Sequence, residues 1–173
     1  MSKWRMQMNL NDTAVVLALA FAGCAAPALA EQASIVHVTI SDKGGSSLDG
    51  LGNDKPMGLA MGGDTSKATM SISLSPAEVK AGEITFEAAN GSKDFIHEVI
   101  VAPLKDLSQP LPYNSDENSV DEDKASAIGE VSELDPGVAG KVTLHLAPGE
   151  YIVFCNVPGH YAMGMWTTLK VDG

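Results

Sequence analysis

The sequence predicts an all-β fold of about eight short strands, an antiparallel sandwich or partly closed barrel of Greek-key type. Three observations carry this reading. From Ser34 to Val171, short runs rich in Val, Ile and Thr alternate apolar with polar residues, the period of a half-buried strand. Turn signals built on Gly, Pro, Asn and Asp separate the runs. No stretch beyond residue 30 sustains the helical spacing of apolar residues. One domain over residues 31–173 is expected, with no internal repeat.

Ser34 to Ser41 (SIVHVTIS) alternates strictly and reads as the first strand, with His37 as a partly exposed strand histidine. Asp42 to Lys67 is rich in Gly, Ser and Asp and reads as a long loop. It carries Met57 and Met61, and Met70 follows. Exposed thioethers bind soft Cu(I), but Met also fills gaps where a loop folds over a core, and packing is preferred here. Thr69 to Leu74 (TMSISL) alternates until Ser75-Pro76 breaks it. Glu83 to Ala89 (EITFEAA) is the next strand, closed by the turn signal Asn90-Gly91.

Phe95 to Ala102 (FIHEVIVA) follows, and its period of two puts Phe95, His97, Val99 and Val101 on one face. Leu104 to Ala127 reads as a long acidic insertion with room for a short helix, including the run from Asp116 to Asp123. Its charges read as a solvated surface, or more sharply as a docking patch for a basic partner. Ile128 to Leu134 and Lys141 to Leu146 are two more strands around Asp135-Pro136-Gly137, with His145 facing solvent. Pro148-Gly149 turns the chain into Tyr151 to Cys155, and Trp166 to Val171 closes the domain.

Residues 1–30 have the layout of a secretory signal peptide: Lys3 and Arg5, an uncharged stretch from Thr13, and Ala28-Leu29-Ala30 as a small-residue cleavage site. A retained membrane anchor and lipid attachment at Cys24, within Phe21-Ala22-Gly23-Cys24, are the rival readings of this segment. The expected location is the periplasm, with no membrane span in the mature form. The net charge of −11 argues against binding nucleic acid or an anionic membrane surface. The chain has two cysteines, and cleavage after Ala30 leaves Cys155 alone. A lone thiol in an oxidising compartment is liable to oxidation or cross-linking, and metal ligation protects it.

The stretch Phe154 to Met165 supplies the ligand. Cys155, His160 and Met165 stand at the spacing Cys-x4-His-x4-Met, and Met163 is a second thioether nearby. Thiolate, imidazole and thioether together suit copper, and two His, one Cys and a weak axial Met make the blue-copper electron-transfer arrangement. The missing nitrogen ligand comes from elsewhere, and His97, on the apolar face of its strand, is the candidate. Spacing leaves Met163 and Met165 both open as the axial donor. Zinc is a poorer fit, because a thioether is an odd ligand for it.

The segment Pro148-Gly149-Glu150-Tyr151-Ile152-Val153-Phe154-Cys155-Asn156-Val157-Pro158-Gly159-His160 resembles the Pro-Gly-x-Tyr…Cys-x-x-Pro-Gly-His pattern of the cupredoxins, the type 1 blue copper family, in the branch related to rusticyanin and sulfocyanin. Asn90 to Val101 resembles the family's first-ligand strand. The resemblance runs from about Ser34 to Asp172. It implies a Greek-key β-sandwich, one type 1 copper ion, and His97, Cys155, His160 and Met165 as its ligands. One position departs: many small members carry Asn or Ser after the first His, where it braces the ligand loop, and this chain has Glu98.

The expected function is single-electron transfer between redox partners, a c-type cytochrome with a basic face among them, by a monomeric periplasmic carrier. The rival is a copper chaperone or tolerance protein that uses the same fold and the loop with Met57, Met61 and Met70. No acid–base pair or substrate pocket can be argued from these residues, so an enzyme is not expected.

Overall fold

The computed structural model describes residues 33–43 and 55–173; the signal-peptide reading of residues 1–30, and Cys24 with it, lies outside them. Eight strands of six residues or more build the fold: β1 (Ser34–Asp42), β2 (Met70–Ser75), β4 (Gly82–Asn90), β5 (His97–Leu104), β8 (Gly129–Leu134), β9 (Ala139–Leu146), β10 (Gly149–Phe154) and β11 (Trp166–Asp172). Three short ones, β3 (Glu78–Lys80), β6 (Tyr113–Asn114) and β7 (Ser119–Val120), one helical turn, α1 (Glu122–Ala125), and a 3-10 turn at Thr65–Lys67 complete the described elements. No helix among the described residues is long and apolar enough to cross a membrane.

The strands form a four-stranded sheet in the order β2-β1-β4-β9 and a five-stranded sheet in the order β3-β11-β10-β5-β8, with β6 and β7 as a separate ribbon. The pairing is mixed rather than purely antiparallel. β1 runs parallel to β4, and β11 parallel to β3. Both contacts join strands that are not chain neighbours, which a run of local alternation does not specify.

Alternation decides which side chains face the core. On β1, Val36, Val38 and Ile40 point inward while His37 and Thr39 face solvent; on β9, His145 is exposed as expected. The core between the sheets takes Ile84 and Phe86 from β4, Val99 and Val101 from β5, Val153 from β10 and Leu169 from β11. β5 and β10 are covered on their outer faces too. There Ile100, Ala102, Ile152 and Phe154 pack against Leu59, Leu111, Val120, Ala125 and Tyr161. A strand buried on both sides reads as a continuous apolar run, as Val99-Ile100-Val101-Ala102 does.

The acidic insertion therefore has a packing role. Its apolar residues Leu111, Val120 and Ala125 cover the five-stranded sheet, while Asp116, Glu117 and Asp123 stay exposed. The methionines behave likewise. Met57 and Met70 are buried and Met61 is half-buried, so they pack rather than present an open thioether loop.

Candidate metal centre

Topology brings the site together at one end of the five-stranded sheet. β5 is antiparallel to β10, and β10 to β11. The start of β5, the end of β10 and the start of β11 therefore lie side by side. His97 opens β5, Cys155 follows β10, and Met165 precedes β11. The first-ligand strand begins at His97 rather than Phe95, and its register with β8 shifts between His97 and Val99.

The donor atoms converge. His97 Nδ1 lies 3.2 Å from His160 Nδ1. Cys155 Sγ lies 3.4 Å from His160 Nδ1 and 3.8 Å from His97 Nδ1. All three residues are buried, and among the described residues they form the one cluster of His, Cys, Asp or Glu side chains that could hold a metal ion. A first-row ion takes nitrogen at about 2.0 Å and sulfur at about 2.3 Å, so donors this far apart can share one ion. Two imidazoles and one sulfur are the donors copper favours. The residues fit the group.

Met165 is fully buried and sits directly opposite Cys155. Phe154 pairs with Trp166, and the Cys155 N–H then donates to the Met165 carbonyl at 3.1 Å, which continues the ladder by one step. Residues opposite each other on antiparallel strands send their side chains to the same face. Met163 is also buried but lies within the loop's turn, where its N–H donates to the carbonyls of Gly159 and His160. Gly159 and Gly164 have φ of +90° and +94°, the left-handed region that a side chain disfavours. They let the chain reverse on either side of His160 to Met163.

Burial sets the protonation of the ligands. It pushes the Cys155 thiol up to about 12, against backbone N–H groups of Glu98 and Val157 that pull it down. The Glu98 N–H lies 3.5 Å from Sγ. The metal-free thiol thus keeps its proton, and a cation must displace it. Burial, then the neighbouring His97, lowers His160 to about 4. Burial lowers His97 as well, although Asp42 opposes it. Both imidazoles are neutral at pH 7, the form that ligates.

Two clamps hold the ligand loop. On one side, Asn156 imitates a paired strand. Its Oδ1 accepts from the Val120 N–H at 2.6 Å, and its Nδ2 donates to the Val120 carbonyl at 2.9 Å and to Glu122 Oε1 at 2.8 Å. The Gly159 N–H donates to the Asn118 carbonyl at 2.7 Å. On the other side, the Met57 N–H donates to the Ala162 carbonyl at 2.6 Å, Trp166 Nε1 donates to the Met57 carbonyl at 2.8 Å, and the Leu59 N–H donates to Tyr161 Oη at 3.0 Å.

The departure at Glu98 proves to be a substitution of means. Its Oε1 accepts from the Asn156 N–H at 3.0 Å, so a carboxylate ties the His97 strand to the Cys155 loop. Asn156 and Asp42 were not legible as parts of the site. Asn156 follows the cysteine with no distinguishing pattern, and Asp42 reads as the start of a loop although it ends β1.

The sequence matches the family described as copper binding proteins, plastocyanin/azurin family, over residues 59–172. No curated protein sequence matches it. Among solved structures it is similar to sodium-dithionite-reduced auracyanin from the photosynthetic bacterium Roseiflexus castenholzii, at 19% identity over 82% of this chain and 98% of that one, TM-score 0.46. Auracyanin A, a "blue" copper protein from the green thermophilic photosynthetic bacterium Chloroflexus aurantiacus, is similar at 26% identity over 59% of this chain and 89% of that one, TM-score 0.45. Rusticyanin from Thiobacillus ferrooxidans is similar at 16% identity over 82% of this chain and 79% of that one, TM-score 0.48. The matched segment is more than half of the chain and holds every donor described above; this chain belongs to the copper binding proteins of the plastocyanin/azurin family.

Proposed function

We propose that this protein is an exported type 1 copper protein that carries single electrons between redox partners, with copper held by His97, Cys155, His160 and Met165. The observation that carries the reading is the convergence of His97 Nδ1, His160 Nδ1 and Cys155 Sγ in one buried cluster. Bound copper supplies a one-electron couple between its two oxidation states. Cys155 would hold it as thiolate, and His97 and His160 as neutral imidazoles. Met165, opposite Cys155 in the ladder, would supply the weak thioether contact that tunes the potential. Water is kept out, since His97 and Cys155 have no exposed surface and His160 only 4%. The clamps at Asn156, Glu98 and Tyr161 limit how far the ligands move when the charge changes, and small rearrangement makes electron transfer fast.

The partner is a redox protein with a basic face, a c-type cytochrome among the candidates. The exposed Asp116, Glu117 and Asp123 and the net charge of −11 support this. The carrier works as a monomer in the periplasm, after cleavage following Ala30 or lipid attachment at Cys24. The mass of the exported protein distinguishes these two. The burial of Met57 and Met70 supports electron transfer over copper handling, the reading motivated by Met57, Met61 and Met70.

Titration with Cu(II), followed by visible absorption, tests the reading. Intense blue colour is expected, saturating at one equivalent, bleached by a mild reductant and absent in Cys155→Ser. A colourless complex, or binding of Cu(I) alone at more than one equivalent, rejects it.

A further inference from the structure

The His97 ring has a second nitrogen, and its surroundings are unusual. Nε2 points away from Cys155 and His160 toward Asp42, whose Oδ2 lies 3.5 Å from it. The histidine side chain is fully buried and the carboxylate 6% exposed. Among the described residues, His97 Nε2 has no hydrogen-bond partner within ordinary distance, and the Asp42 carboxylate is the polar group that faces it. Asp42 belongs to the other sheet. It closes β1 opposite Met70 on β2, and the adjacent Lys43 N–H donates to the Thr69 carbonyl at 2.8 Å. The contact therefore joins the two layers of the sandwich at the metal end.

We propose that Asp42 is a positioning residue that fixes the His97 ring with Nδ1 toward the metal and biases the site toward its oxidised state. The proposal rests on the reading of His97 as a copper ligand. A carboxylate beside Nε2 favours the tautomer with the proton on Nε2, which leaves Nδ1 bare and aimed at Cys155 and His160. It also places negative charge beside a ligand in a buried region, where Coulomb interactions are less screened than at the surface. One thiolate and Cu(II) leave a net charge of +1, and Cu(I) leaves none. The nearby carboxylate stabilises the first more than the second, and so lowers the reduction potential. Carboxylates that orient a ligating histidine in this way affect metal affinity by roughly 10–100-fold.

Three proteins decide it: wild type, Asp42→Asn and Asp42→Ala. In the metal-free state, nitrogen-15 NMR of His97 reads the tautomer. The Nε2–H form is expected to dominate in wild type and in Asp42→Asn, whose amide oxygen keeps a partial negative charge facing Nε2, and to lose its dominance in Asp42→Ala. In the copper-loaded state, voltammetry of Asp42→Asn is expected to show a raised potential with the blue band in place, and Cu(II) affinity is expected to fall more than Cu(I) affinity. An Asp42→Asn potential equal to wild type, or a tautomer indifferent to Asp42→Ala, overturns the proposal. A wild-type protein that forms no blue complex rejects the electron-transfer reading instead, and the NMR comparison then decides the role of Asp42 alone.

Discussion

The Glu98 carboxylate accepts a hydrogen bond from the Asn156 backbone N–H at 3.0 Å. Each residue directly follows a metal-centre residue, His97 and Cys155, so this one contact ties two segments 58 positions apart. It is made by a half-buried acid set among other acids. Burial, then the charges of Glu122, Glu130 and Glu133, raise Glu98 to about 7, while the Asn156 N–H opposes the shift.

This gives a stability signature in the metal-free protein. Between the ordinary carboxyl value of about 4.5 and about 7, the folded state binds the Glu98 proton more tightly than the unfolded state. Stability therefore falls as pH rises through that window and levels off above it. Glu98→Gln keeps an acceptor for Asn156 without the charge. Its urea midpoint is expected to exceed wild type at pH 8 and to match it below about pH 4.5. Parallel curves for the two proteins across that range would contradict the assignment.

Asn156→Ala strands the Val120 N–H and carbonyl, both of which it pairs. Buried backbone groups without partners cost about 1–3 kcal/mol each. A loss of about 2–4 kcal/mol in unfolding free energy is expected, with increased amide exchange at Val120 and Gly159. A change below about 0.5 kcal/mol would be that of an ordinary surface substitution and would remove Asn156 from the clamp.

Tyr161→Phe tests the other clamp. The hydroxyl accepts from the Leu59 N–H inside the outer apolar cluster, and the ring packs edge-on against Phe154 at 5.7 Å. The variant keeps the ring and loses the acceptor. A loss of about 1–3 kcal/mol in stability is expected, with little change in the copper spectrum, because the hydroxyl is not a ligand. A bleached spectrum with unchanged stability would reverse that division.

Met165→Leu and Met163→Leu separate the two thioethers. With Met165 opposite Cys155 in the ladder, Met165→Leu is expected to raise the reduction potential while the blue band persists. Replacing a donor by hydrocarbon disfavours the more highly charged ion, and the axial ligand tunes the potential. Met163→Leu is expected to leave the potential in place. The reverse pattern would assign the axial position to Met163.

The strands and the ligand loop could be read from the sequence because both are local. Alternation at a period of two places Val36, Val38 and Ile40 inside and His37 outside whatever the strand pairs with. Cys155, His160 and Met165 lie within one loop, so covalent spacing alone keeps them near each other. His97 was recognisable as a histidine on an apolar face, but its nearness to Cys155 depends on β5 and β10 pairing antiparallel. Tertiary structure alone decided the rest. The parallel pairing of β1 with β4, the clamp at Asn156 and the approach of Asp42 to His97 all join residues far apart in the chain. Local periodicity records whether a side chain is buried; it does not record which distant backbone comes to lie beside it.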